Sequence, residues 1–152
     1  MASRSLKALF TLLASIPFAC SSSAAATPED PCVDASSQSQ NLRAEKQKNA
    51  SVIELLDKSA RWRAVLRSPV EITLPRQSPD SNFLAYVSSE RGSPWLYLLR
   101  ISTGAKEPVS SLEAQPVNLC FDSTASVLHV VFSPGAVSDY DIASQLRLLP
   151  GR

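Results

Sequence analysis

The amino-acid sequence predicts a mainly β fold, an antiparallel meander of two similar units preceded by one α-helix and by a disordered N-terminal signal and tether. Short apolar runs separated by turn residues recur at intervals of about ten residues after Pro69, which is typical of antiparallel strands. The region before them is rich in Lys, Glu, Gln, Ala and Leu and lacks Gly and Pro, which favours a helix.

Residues 1–26 have the layout of a secretory signal peptide. Arg4 and Lys7 form its positive end, residues 8–19 are apolar, and small residues follow. The apolar stretch is too short to span a bilayer, which needs roughly 20 apolar residues. Cleavage after Ala26 would release a soluble protein. Cleavage before Cys20 would leave 1–19 as the signal and Cys20 as a lipidated N-terminal residue, although Pro17 stands where bacterial lipoproteins usually carry an aliphatic residue.

Either route predicts an exported protein, in the periplasm or attached to the outer membrane as a lipoprotein. Removing Arg4 and Lys7 changes the formal net charge from +1 to −1. A chain without a basic excess offers nothing to attract nucleic acid or an anionic membrane surface. We therefore expect no nucleic-acid partner, and a membrane contact only through a lipid anchor at Cys20.

Two cysteines remain once Cys20 is cleaved off or lipidated. In an oxidising compartment Cys32 and Cys120 could form a disulfide that stabilises by a few kcal/mol, because it would close a long loop. Alternatively both are free, with Cys120 a small apolar residue of a strand and Cys32 a thiol of the tether. The distance between them in sequence does not decide between these alternatives.

Residues 21–40 are rich in Ser, Ala, Pro and Asp and predict a flexible linker. Residues 41–65 predict the helical segment. Ser51 and Glu54 have the spacing of a capping box, and Val52, Leu55 and Leu56 would share one face of a helix. One long helix and a shorter one that begins at Ser51 both fit this pattern, in either case packed on a sheet.

Strands follow at 70–74, 83–89 and 95–101. The turn before the second strand contains Ser78, Pro79 and Asp80, residue types that favour tight turns. The same order of features returns later, where Asp122 and a following Ser precede the apolar run 127–132. Matching Asp80 to Asp122 gives an offset of 42 residues, within the range of one four-stranded propeller blade. The predicted repeats are 69–111 and 116–151.

The stretch 78–104 resembles the β-propeller repeat of TolB and related envelope proteins. The resemblance covers the turn Ser78-Pro79-Asp80, the apolar strand 84–87, the polar turn 88–92, the strand 95–101 and the closing Gly104. Ser81 replaces the glycine that follows the aspartate in the family, and the second repeat keeps only Asp122 of the turn. The resemblance implies a β-propeller and a protein partner in the cell envelope.

Propellers typically need 4 to 8 blades to close a ring, and this chain has room for about two. The sequence leaves three explanations open. The chain is a truncated or degenerate copy, its blades form one small sheet covered by the helix, or several chains assemble one ring.

The sequence nominates no catalytic residue, metal site or cofactor. The single histidine, His129, lies within a strand, where a partly buried structural histidine is expected. No Gly-x-Ser-x-Gly nucleophile motif is present. The resulting hypothesis is a non-enzymatic, exported interaction or scaffold module with TolB-like repeats. The alternatives are an N-terminal propeller fragment of a prolyl oligopeptidase-like hydrolase without its catalytic domain, and a small secreted domain of another role.

Overall fold

The computed structural model describes residues 31–33, 38 and 40–146. This part of the chain forms three antiparallel sheets and one short helix, which confirms the predicted mainly β, antiparallel fold. The elements are β1 (Leu42–Gln47), β2 (Ala50–Leu56), β3 (Trp62–Ser68), β4 (Ile72–Gln77), β5 (Phe83–Ser88), β6 (Trp95–Arg100), β7 (Ala105–Ser111), β8 (Asn118–Phe121), β9 (Val127–Val131), β10 (Val137–Asp141) and α1 (Ile142–Leu146).

The sheets have the strand orders β1-β2-β3, β4-β5-β6-β7 and β10-β9-β8, and we call them the first, middle and third sheet. The predicted signal peptide, the Cys20 lipidation site and residues 147–151 of the second predicted repeat lie outside the described residues. No helix among the described residues is long and apolar enough to cross a membrane.

The middle sheet is covered on both faces. Every residue of β5 is buried, and so are the four central residues of β6. Alternate residues of a strand point to opposite faces, so a strand buried on both faces must be apolar at consecutive positions. This requirement explains why the runs at 83–88 and 95–100 do not alternate between apolar and polar residues.

The two faces of the middle sheet belong to different cores. Phe83, Ala85 and Val87 contact the third sheet, together with Leu128 and Val130 of β9. On the opposite face, Leu84, Tyr86, Tyr97 and Leu99 contact Ile53 of the first sheet. The Tyr86 and Tyr97 rings stack there, with centroids 5.3 Å apart and an interplanar angle of 11°.

The prediction of a helix over 41–65 is wrong, because these residues form β1, β2 and the start of β3. Ser51 and Glu54 do not form a capping box. The Ser51 hydroxyl accepts a hydrogen bond from the Ile72 backbone N–H at 3.3 Å, and Glu54 pairs with Arg43 at 2.5 Å. Helix propensity is a weak preference that tertiary packing overrides, and here burial of Ile53 against the middle sheet outweighs it.

The first sheet corresponds to three strands of the middle sheet. The pairing of β2 with β3 shifts register after Ile53, and the pairing of β6 with β7 shifts after Leu96. In both cases a valine, Val65 or Val109, is left without a cross-strand partner. The shared bulge equates β1–β3 with β5–β7, so the described strands of this sheet correspond to the second, third and fourth strands of a blade.

The third sheet corresponds to β4–β6 and has no described equivalent of β7. The described chain therefore contains one four-stranded blade between two three-stranded blades. The blade formed by the first sheet could not be predicted from the sequence, because the Ser-Pro-Asp turn that marks a unit lies between the first two strands of that unit. The described residues include no strand before β1 and no equivalent of this turn in the first sheet.

Leu128→Ala tests the double burial of the middle sheet. Leu128 of β9 is fully buried against the middle sheet, so its truncation should lower the free energy of unfolding by about 2–5 kcal/mol. Val117→Ala is the control, because Val117 is 56% exposed and its truncation should change stability by no more than about 0.5 kcal/mol. Urea unfolding of both variants measures the difference, and equal stabilities would contradict the packing described.

Candidate functional site

The first turn of the candidate site joins β4 to β5. The Ser78 backbone N–H donates to the Phe83 carbonyl at 2.9 Å, and the Ser78 hydroxyl accepts from the Phe83 N–H at 2.9 Å. The same hydroxyl donates to Asp80 Oδ1 at 2.5 Å. Ser81 has a φ of 60°, the left-handed conformation that the glycine of the family repeat would adopt without strain. Asp80 also accepts from the Asn82 backbone and side chain, at 3.1 Å and 2.7 Å.

The second turn joins β8 to β9 and has the same backbone hydrogen bonds. The Asp122 N–H donates to the Val127 carbonyl at 2.9 Å, and Asp122 Oδ1 accepts from the Val127 N–H at 2.9 Å. Ala125 has a φ of 58°, matching Ser81. Thr124 donates its hydroxyl hydrogen bond to Asp122 Oδ2.

These bonds correct the alignment of the two units. Asp122 occupies the position of Ser78, and Thr124 that of Asp80, so the offset between the units is 44 residues (122 − 78) at this turn. The predicted match of Asp80 with Asp122 is wrong by two positions. The hydroxyl and the carboxylate have exchanged positions between the two turns. This exchange is possible because either group can accept the backbone N–H that closes the turn, while the other group forms a hydrogen bond with the accepting side chain.

Both carboxylates are held in their charged form. At Asp80, burial raises the pKa, but the hydrogen bonds from Ser78 and Asn82 together lower it by more than burial raises it. The pKa of Asp80 therefore lies below its usual value. At Asp122, the effect of burial is likewise outweighed by bonds from Thr124, Val127 and the neighbouring backbone, and its pKa is also lowered.

The two turns border a cleft of about 570 Å³, which we call the turn cleft. Ser78 and Pro79 line one side, Asp122 and Ser123 line the other, and Gln38 closes it from the N-terminal segment. The structure thus brings together three of the four predicted turn residues. Asp80 does not line the cleft, because its carboxylate is turned toward its own loop.

The N-terminal segment is attached to the third sheet at two points. The Cys32 and Cys120 sulfur atoms lie 1.98 Å apart, the distance of a disulfide, and pack with Val131. The Gln38 side-chain amide donates to the Phe121 carbonyl at 2.7 Å and accepts from the Phe121 N–H at 2.9 Å. Residues 21–40 were predicted as a flexible linker, but at Cys32 and Gln38 this segment contacts the sheet.

The contribution of Gln38 to the cleft could not be predicted from the sequence. It lies in a Ser- and Gln-rich stretch with no periodicity, and its side chain imitates a backbone amide only because β8 leaves an edge free beside it. His129, which the sequence predicts to be a structural histidine, lies on the face of the third sheet that points away from the middle sheet. Its Nδ1 is 2.8 Å from Asp139 Oδ1. Across the described residues, no group of three or more His, Cys, Asp or Glu side chains is placed to hold a metal ion.

Comparison with known proteins shows similarity to TolB. No family model matches the chain. Proteins described as Tol-Pal system protein TolB, from Xanthomonas oryzae pv. oryzae and Xanthomonas axonopodis pv. citri, are 51% identical to it over 47 residues. The protein of Xanthomonas campestris pv. campestris is 49% identical over 47 residues. These matches cover 31% of this chain and only 11% of each relative.

A solved structure extends the similarity to most of the fold. TolB from Acinetobacter baumannii superposes with a TM-score of 0.56 at 24% sequence identity, covering 68% of this chain and 28% of the other. The chain therefore has a TolB-like, propeller-type fold, which confirms the resemblance, and it spans about a quarter of the TolB structure.

Removal of the disulfide should destabilise the fold. Cys32→Ser opens a loop of 88 residues and should lower the free energy of unfolding by about 4.5 kcal/mol in the chain-entropy model. Thermal unfolding with and without reductant measures this effect, and the variant should be insensitive to reductant. Two alkylatable thiols at Cys32 and Cys120 in the native, unreduced protein would contradict the bond.

Acid should weaken the two turns. Because the pKa values of Asp80 and Asp122 are lowered by folding, their stabilisation is fully present above the unfolded value of about 4 and is lost as the pH falls through the folded values. Asp122→Asn keeps an oxygen to accept the Val127 N–H but cannot be protonated. Its free energy of unfolding should fall less between about pH 5 and pH 2 than that of the parent. Parallel curves in urea titrations would contradict the role of Asp122.

Proposed function

We propose that this chain is a non-enzymatic, exported protein-interaction module of the bacterial cell envelope, which binds a partner protein at the turn cleft. The observation that carries the proposal is the cleft itself, bordered by equivalent turns from two neighbouring blades. The named relatives belong to the Tol-Pal system, and this supports a protein of that system as the partner. A propeller-type fold alone does not determine function, so the argument rests on the cleft.

The construction of the turns suits recognition of another protein. Each loop is held by its own side-chain and backbone hydrogen bonds, and the strands that carry it pack in the core. Binding to loops that are already ordered costs little conformational entropy. Asp122 presents a carboxylate that stays charged at neutral pH, which would favour a partner with a basic or hydrogen-bond-donating side chain.

The similarity to TolB supports the non-enzymatic part of the proposal. The single histidine, His129, pairs with Asp139. Export is supported by the signal-like residues 1–26, and the Cys32–Cys120 disulfide suits an oxidising compartment. The proposal includes lipidation of Cys20, which would attach the exported protein to the membrane.

Binding to a Pal protein tests the proposal. Purified Pal from a Xanthomonas species should bind the chain, and Ser123→Arg should weaken binding by roughly tenfold, because it fills the cleft from an exposed position. Ser89→Arg is the matched control, since Ser89 is an exposed serine in a turn outside the cleft lining. Calorimetry measures both variants.

Two outcomes would overturn parts of the proposal. Equal weakening by Ser123→Arg and Ser89→Arg would place the contact outside the cleft. Absence of any binding to Pal would remove the Tol-Pal partner. Fractionation of expressing cells tests export separately, since an intact Met1 N-terminus in the cytoplasm would contradict it.

A further inference from the structure

A carboxylate, an imidazole and a disulfide sulfur form a row across the third sheet. His129 of β9 lies directly opposite Cys120 of β8 on one side and directly opposite Asp139 of β10 on the other. Residues directly opposite each other on antiparallel strands share a face, with Cβ atoms about 4.5–5.5 Å apart. The row lies on the face turned away from the middle sheet, because Leu128 and Val130, the neighbours of His129, pack against that sheet.

Asp139 fixes the orientation of His129. The distance between Asp139 Oδ1 and His129 Nδ1 is 2.8 Å. A carboxylate accepts hydrogen bonds at neutral pH, so Nδ1 carries a proton and donates it. Nε2, on the other edge of the ring, has no hydrogen-bond partner among the described residues, and the His129 side chain is 19% exposed. This nitrogen is therefore available to transfer a proton to or from a neighbouring group.

The two sulfur atoms of the disulfide differ in their access to solvent. Cys120 is completely buried, whereas Cys32 is 5% exposed and lies between the exposed residues Pro31 and Val33. An external thiolate breaks a disulfide by attacking one sulfur and displacing the other. Attack at the more accessible Cys32 makes Cys120 the leaving group.

A thiolate released at Cys120 needs a proton donor. Cys120 is packed with Val131, and burial of an unpaired charge is costly. The rate of thiol–disulfide exchange depends on how readily the leaving sulfur departs. His129 lies directly opposite Cys120 and is the only histidine of the chain. A cysteine, a histidine and a third group that orients the histidine are the arrangement that activates cysteine thiols elsewhere.

We propose that the Cys32–Cys120 disulfide is a site of thiol–disulfide exchange, in which His129 protonates the departing Cys120 sulfur. Asp139 is a positioning residue, since it acts through His129. The external reactant is a dithiol, and the chain is its substrate. In the reverse direction His129 accepts the proton of the Cys120 thiol and so promotes closure of the disulfide.

The exchange proceeds in two balanced steps. A thiolate of the dithiol attacks Cys32 Sγ and forms a mixed disulfide, while the Cys32–Cys120 bond breaks and Cys120 leaves with the electron pair. The Cys120 sulfur takes a proton from Nε2 of the His129 imidazolium. The second thiol of the dithiol then attacks the mixed disulfide and releases Cys32. Both cysteines are reduced, the dithiol is oxidised to a disulfide, and its two protons end on Cys32 and Cys120 by way of solvent and His129.

The position of the disulfide connects it to the turn cleft. Pro31, next to Cys32, lines the cleft, and Gln38 closes it from the same segment. Reduction removes the covalent attachment of this wall to the third sheet. That consequence rests on the proposed function, whereas the exchange itself goes beyond it and is tested without a partner protein.

The rate of reduction by dithiothreitol tests the proposal. The oxidised full chain is treated in native buffer near neutral pH and quenched with an alkylating reagent. Mass spectrometry then quantifies the peptide that contains Cys120, so the thiol of Cys20 does not enter the measurement. His129→Gln keeps a polar side chain but supplies no proton, and it should slow the reduction by roughly tenfold.

Variants of β10 test the positioning role. Asp139→Asn should slow the reduction by a smaller factor than the loss of the imidazole, because the histidine remains but is held less firmly. Asp141→Asn is the matched control. Asp141 lies on the same strand and the same face but opposite Val127, so this variant should leave the rate unchanged.

A purely structural role of His129 predicts the opposite change. A variant that only destabilises the third sheet opens the buried disulfide more often, and its reduction becomes faster. Urea unfolding of each variant records its stability separately. Reduction of His129→Gln at the rate of the parent, or faster, overturns the proposal.

The parent chain provides two tests that need no variant. Glutathione, a monothiol, should form its mixed disulfide on Cys32, and an adduct found on Cys120 instead would overturn the order of attack. Dithiothreitol should reduce the disulfide in native buffer. A disulfide that is reduced only after a denaturant is added is structural alone, and this result also overturns the proposal.

Discussion

The fold depends on burial of the middle sheet on both faces. This sheet serves as the common wall of two cores, and without either neighbour a full apolar face of β5 and β6 would be exposed to water. Two polar groups of this sheet, the Tyr86 hydroxyl and the Ser88 hydroxyl, are buried without a hydrogen-bond partner among the described residues. The free energy gained by burying the apolar side chains around them outweighs the cost of desolvating these hydroxyls. Burial, with the nearby Glu90 carboxylate and Tyr97, raises the pKa of Tyr86, which keeps that phenol neutral.

The candidate site depends on the same packing. The first and second strands of each unit leave the core at the same end, so their connecting turns lie side by side and border the turn cleft. The two turns reach the same backbone geometry with different residues, Ser78 with Asp80 in one and Asp122 with Thr124 in the other. What is preserved is an oxygen that accepts the N–H five residues ahead, and both a hydroxyl and a carboxylate provide it.

The outer faces of the first and third sheets are not covered by a further sheet within the described residues. In a closed propeller the next blade covers such a face. The outward face of the first sheet carries Arg43 and Glu54, which pair with each other while Arg43 stacks on Trp62 at 4.7 Å. The outward face of the third sheet is partly covered where Cys32 contacts Cys120 and Val131. Charge on one face and a covalent attachment on the other reduce the apolar surface left to water.

The sequence by itself determined the strands β5, β6 and β9 and the turns beside them, because continuous apolar runs and turn residues are local signals. It did not predict the helix α1, which follows β10. Tertiary structure decided the rest. Residues 41–65 have a helical composition but become strands because Ile53 and its neighbours cover the middle sheet. The repeat offset required the backbone bonds of Ser78 and Asp122, since a serine and an aspartate look unrelated in sequence. The meeting of Cys32 with Cys120, and of Gln38 with Phe121, joins segments far apart in the chain, and only folding brings such groups together.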